Sequence, residues 1–180
     1  MKTMVAVCVF VLLGPASALA QGARLQLAHL DRLASLAAES VNVTIDPAML
    51  KMASAFMKAE GDQAAVKEML ASLTGIYVRS LEFARENAYT PDDVETIRKQ
   101  LTAPGWSKLV TVDSKRDREL VEIYSWQENN QSRGLVILVA EPRELTVVNI
   151  VGPFDLSKLG ALQGSFGIPR LPVEAPPAAR

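Results

Sequence analysis

Residues Gly134–Val151 read GLVILVAEPRELTVVNIV: two apolar runs separated by the polar break Glu141-Pro142-Arg143-Glu144. LVILVA has no polar position, which marks a strand covered on both faces. The break is long enough for a hairpin but too short for a parallel crossover, which needs about a dozen residues. Pro142, with no N–H to give to a ladder, belongs in the turn. Leu135–Ala140 and Leu145–Val151 are therefore predicted as the antiparallel centre of a sheet. Asn149 interrupts the second run. A buried amide must find partners or cost about 1–3 kcal/mol, so Asn149 is expected to be buried there and to tie down neighbouring chain, with the Gly152-Pro153 turn as its nearest partner; contact with a ligand is the alternative.

Working outward, two more strands precede the pair. Ser107–Asp113 and Glu119–Gln127 are set off by the turns Lys115-Arg116-Asp117 and Asn129-Asn130-Gln131. LVEIYSWQ alternates, so one of its faces is expected to be wetter. Ile76 and Val78 share one phase whereas Leu81 and Phe83 share the other, which calls for either a β-bulge near Arg79-Ser80 or a strand buried on both sides. The helices come mostly from the N-terminal part. Leu27, Leu30, Leu33, Leu36 and Ala37 predict a helix to about Glu39, after which VNVTI alternates briefly. Asp46-Pro47 caps a second helix with Met49, Leu50, Ala53, Phe56 and Met57 inward, ending at Gly61. A third, from Asp62, buries Val66, Met69, Leu70 and Leu73. Thr90-Pro91-Asp92-Asp93 starts a fourth, with Val94, Ile97 and Leu101 inward. A short helix from Asp155 carries Leu156, Leu159 and Leu162. The expected class is α+β, an antiparallel sheet of about five strands with helices packed on it.

The first segment, MKTMVAVCVFVLLGPASALA, has the tripartite pattern of an export signal: Lys2, the apolar run Met4–Leu13, and Ala18-Leu19-Ala20 as a small-x-small cleavage site. The run falls short of the roughly 20 apolar residues of a membrane span. The expected organisation is a signal peptide over 1–20, one domain over 21–171 and a disordered Pro/Ala-rich tail over 172–180. The protein is then exported, periplasmic or extracellular, with no transmembrane span. Cys8 is the single cysteine and sits inside the apolar run rather than at the cleavage point, so the mature chain would have no thiol. With 19 Lys+Arg against 20 Asp+Glu there is no broad positive field, and nucleic acid is not expected as a partner.

PAMLKMAS (47–54), GIYVRSLEF (75–83), APGWSKLV (103–110) and, most specifically, GLVILVAEPRELTVVNIVGPFDLSKL (134–159) resemble the bacterial exported proteins of the domain-of-unknown-function family 4252. The resemblance runs from about Leu30 to Leu171. It implies an export signal and a small domain, and it brings no activity or catalytic residues with it. Some members look like lipoproteins with a cysteine at the cleavage point, a pattern from which this chain departs.

Residues able to carry chemistry are few. His29, the single histidine, is expected on a terminal helix in a solvated or packing role. One histidine and no mature cysteine leave no zinc ligand set, and no EF-hand loop is present. No serine stands in G-x-S-x-G. Asp92 and Asp93 read as helix-capping acids, and Glu119 and Glu122, an odd number apart, lie on opposite faces of one strand. Lys108, Lys115, Arg116 and Arg118 read as a solvated turn. No catalytic, metal or cofactor residue is assigned, and no cofactor is expected. Asn149, Trp126 and Tyr124 are the candidate ligand- or partner-binding residues. The leading expectation is a non-catalytic exported envelope protein binding a protein or a small apolar ligand. The alternatives are a cofactor-free hydrolase using carboxylates such as Glu82, Glu122 or Glu141, and an envelope stress-signalling or assembly partner.

Overall fold

Two β-rich stretches, VNVTI and GIYVRSLE, flank a helical hairpin, and the hairpin sets the first half of the fold. The computed structural model describes residues 22–57, 60, 62–129 and 131–153. A 3-10 turn, Ala28–Leu30, runs into α1 (Asp31–Ala34); β1 (Glu39–Ile45), α2 (Pro47–Phe56), α3 (Asp62–Ser72), β2 (Gly75–Glu82), α4 (Pro91–Gln100), β3 (Trp106–Ser114), β4 (Glu119–Glu128), β5 (Gln131–Glu141) and β6 (Glu144–Val151) follow. All strand pairs are antiparallel, in the order β1-β2-β6-β5-β4-β3. The class is α+β as expected, but the sheet has six strands rather than about five. The extra one is β1, built around VNVTI, whose β-branched residues suit a pleated surface.

The predicted centre is the centre. β5 and β6 occupy the two middle positions, and Glu141 pairs with Glu144 across the Pro142-Arg143 turn. Residues Leu135–Val139 and Leu145–Ile150 are buried. The phase change in β2 is resolved without a bulge, because its register with β1 and β6 runs unbroken. Ile76 and Val78 face one core with Leu50, Met69, Leu70 and Leu73 of the α2–α3 hairpin. Leu81 and Phe83 face a second core with Leu30, Leu33, Val94, Ile97 and Leu101 from the N-terminal segment and α4. The sheet is thus the middle of three layers, which is why its inner strands carry no polar face.

Several helical expectations change. The first helix stops at Ala34 instead of about Glu39, because Ala38 N–H bonds to the Glu82 carbonyl and draws the chain into β1. Leu36 is left 62% exposed. In α2, Asp46 Oδ1 accepts from Met49 N–H at 2.8 Å as a cap should. Only Leu50 and Ser54 of that helix are buried, however, and Met49 and Phe56, expected inside, are exposed. Both faces of β4 are buried from Val121 to Ser125, so neither is the wetter face that its alternation suggested. Gly61, the Asp155 helix and residues 172–180 lie outside the described residues.

Candidate functional site

The three candidate binding residues lie on the face of the sheet beneath the N-terminal segment, and two of them bind that segment. Asn149 is wholly buried. Its Oδ1 accepts from Leu25 N–H at 2.9 Å, and its Nδ2 donates to the carbonyls of Ala23 (2.9 Å) and Leu135 (3.2 Å). It therefore ties down chain, but the partner is residues 22–27 rather than the Gly152-Pro153 turn. Gln100 repeats the device at the end of α4, accepting from Gln26 N–H at 2.8 Å and donating to the Gln26 carbonyl at 2.9 Å. Two side-chain amides thus stand in for a neighbouring strand. Trp126 packs edge-on to Trp106, with ring centroids 5.6 Å apart, and lies against Gly22. Gly134 completes the seat, since a Cβ there would come within 2.7 Å of the Ala23 Cβ. Trp126 also lines a hollow of about 300 Å³ with Thr74 and Pro153.

Tyr124 belongs to a different assembly. Its hydroxyl donates to Glu122 Oε2 at 3.1 Å, and the same carboxylate accepts from Arg98 Nε at 2.8 Å and Lys108 Nζ at 2.7 Å. Burial pushes the Glu122 carboxyl up, but the hydrogen bonds from Arg98 and Lys108 outweigh it and hold the group below its ordinary 4.5. The basic residues near the β3–β4 turn do not form one patch: Lys108 pairs with Glu122, Lys115 with Asp113, Arg116 with Asp117 and Arg118 with Glu86. Asp93 caps α4 through Thr90, as its position predicted, and also pairs with Arg32 of α1. His29 has its Nε2 buried with no hydrogen-bond partner among the described residues.

The register decides the geometry of the carboxylates. Glu39, Glu82, Glu144 and Glu141 are successive cross-strand partners, so they form a transverse row on one face at one end of the sheet. Glu144 separates Glu82 from Glu141, and Glu122 projects from the opposite face. Among the described residues no three His, Cys, Asp or Glu side chains converge as a metal site requires.

A cleft of about 300 Å³ opens where the start of α4 meets the β3–β4 and β5–β6 turns. Pro91, Val94, Leu120, Ala140 and Pro142 give it an apolar lining. Tyr89 closes one side: its hydroxyl donates to the Glu141 carbonyl, and burial, with Glu141 and Glu144 nearby, pushes its pKa up to about 12. Arg98 and Arg118 also line the cleft, each already paired, the first with Glu122 and the second with both Glu86 oxygens at 2.9 and 2.8 Å. Burial, then Glu144 and Glu119, push the Glu141 carboxyl toward its neutral form. The cleft therefore offers an apolar surface with its charges offset. None of this was readable in the sequence, because the lining comes from three separate stretches, 87–98, 118–120 and 140–142, with no shared motif.

A family model described as domain of unknown function (DUF4252) matches residues 37–162. The chain belongs to this family. The DUF4252 region takes in β1 to β6 and the whole cleft, whereas residues 22–36, which include the segment held by Asn149 and Gln100, precede it. No curated protein and no solved structure matches the chain. Among the described residues no helix is long and apolar enough to cross a membrane.

Proposed function

We propose that this DUF4252 protein is an exported, non-catalytic binding protein of the bacterial envelope, and that the cleft at the start of α4 takes a small apolar ligand. The observation that carries the reading is the pairing of Arg98 and Arg118 within the protein, which leaves an apolar hollow with, among the described residues, no unpaired cation in its lining for an anionic group. Its volume stands at the lower end of the range for small-molecule sites, roughly 300–1,000 Å³. Export is supported by Lys2, the run Met4–Leu13 and Ala18-Leu19-Ala20. Of Glu82, Glu122 and Glu141 only Glu141 lines the cleft, and Glu122 projects from the face of the sheet opposite to the other two, which favours binding over carboxylate-dependent hydrolysis, since acid–base work on sugars needs two carboxylates on one cleft.

The test uses protein recovered from the exported fraction, with an intact mass that starts at Gln21, titrated with the neutral fluorescent probe N-phenyl-1-naphthylamine. Saturable binding is expected. Leu120→Trp, which fills the cleft, should weaken it roughly tenfold, about 1.4 kcal/mol, with the melting temperature held. No saturable binding, or equal affinity in the variant, overturns the assignment of the cleft.

A further inference from the structure

The two edges of the sheet are built differently. β3 forms one edge and is defended: its register breaks between Lys108 and Val110, Lys108 and Asp113 place charges on it, and the charged turn 115–118 follows. Bulges and edge charges are the usual means of preventing edge-to-edge pairing. β1 forms the other edge and has none of these. ESVNVTI contains no Lys, Arg, Pro or Gly, four of its seven residues are β-branched, and its register with β2 is continuous from Glu39 to Ile45. Its only charge is Glu39, at the very start. Five of its residues are exposed, Val41 included. Among the described residues nothing pairs with its outer side.

We infer that β1 is the interface between two copies of this chain, joined antiparallel about a two-fold axis that is normal to the sheet and passes between the two facing copies of Asn42. The strand is self-complementary in that arrangement. Such an axis keeps each residue on its own face, so odd positions must meet odd ones and even meet even. Full overlap of residues 39–45 centres on Asn42 and satisfies this, placing Val41 opposite Val43 of the second copy and Ser40 opposite Thr44. Charge favours the same orientation. Glu39 begins the row of glutamates that crosses the sheet end, and a parallel pairing would set the two rows side by side. Antiparallel pairing carries them to opposite ends, about 20 Å apart along the strand, beyond the roughly 10 Å reach of exposed charges in salt. The apolar surface is also on the correct side. Val41 shares its face with Val43 and Ile45, which pack on the core beneath α2, and α2 leaves the end of β1 across the single residue Asp46. That helix exposes Met49, Met52 and Phe56, so the joined sheet carries both apolar helix stripes on one face.

Sedimentation analysis of the purified protein at micromolar concentrations should give a particle of twice the chain mass. Val41→Lys, which puts a charge on the pairing edge at an exposed site, should convert it to a folded monomer that still melts cooperatively, with a melting temperature that no longer depends on protein concentration. Leu109→Lys, on the exposed bulge of the other edge, should leave the dimer intact. A monomeric wild type overturns the inference and means that β1 stays open or is covered by the chain's own undescribed residues. A dimer that survives Val41→Lys, or one lost equally with Leu109→Lys, also overturns it. Probe binding in the α4 cleft lies apart from β1, so the two proposals fail independently.

Discussion

Asn149 shows what a single amide can hold. An apolar residue would extend VVNIV without interruption, yet the amide uses both its donor hydrogens, on the carbonyls of Ala23 and Leu135, and accepts from Leu25 N–H. Sequence reasoning could see that a polar residue in such a run needs partners. It could not see which ones, because the partners stand 124 and 126 positions away. Asn149→Leu keeps the approximate volume and strands the backbone groups of Ala23 and Leu25. It should cost about 1–3 kcal/mol in chemical unfolding and release the Leu25 amide to rapid hydrogen exchange. An unaltered unfolding curve with Leu25 still protected would contradict the structural role.

At the element scale, capping chemistry was legible and side-chain burial less so. Thr90 and Asp93 form the capping box that their spacing announced, and Asp46 caps α2. The outward turn of Met49 and Phe56 was not legible, because a ten-residue helix with apolar residues on more than one side has no unique inward face. Glu122 was equally hidden. Nothing in LVEIYSWQ shows that Arg98 of α4 and Lys108 of β3 converge on it. That carboxylate joins α4 to two strands, and its pKa is depressed in the folded chain. Its contribution is therefore complete above the unfolded value near 4.5 and is lost as the pH falls through the lower folded value. Glu122→Gln should lower stability at neutral pH by about 1–3 kcal/mol. Urea midpoints measured down to about pH 3 should show the gap between wild type and variant narrowing with acid. A gap that widens would mean that the carboxylate is not held ionised by these partners.

For the whole molecule, the three-layer arrangement follows from apolar runs with no polar face, and these were the plainest signal in the chain: β5 and β6 fall where Gly134–Val151 predicts. β1 was harder to count because five of its seven residues are exposed, as expected at an edge. The two cores meet back to back across β5, where Val139 faces the α2–α3 side and Leu138 the α4 side. Val139→Asp places a charge in that first core, one pleat from the glutamate row. It should remove several kcal/mol from a margin of about 5–15, abolishing the cooperative melt; a transition near the wild-type temperature would show that the site admits water. The amide ties at Asn149 and Gln100 also set a sequence of events. Chains are made N-terminus first, so Ala23–Leu25 is synthesised more than a hundred residues before the side chain that fastens it. This early segment is the one that β6, the last described strand, must close over, and until then Leu30 and Leu33 beside it have no finished sheet to lie on.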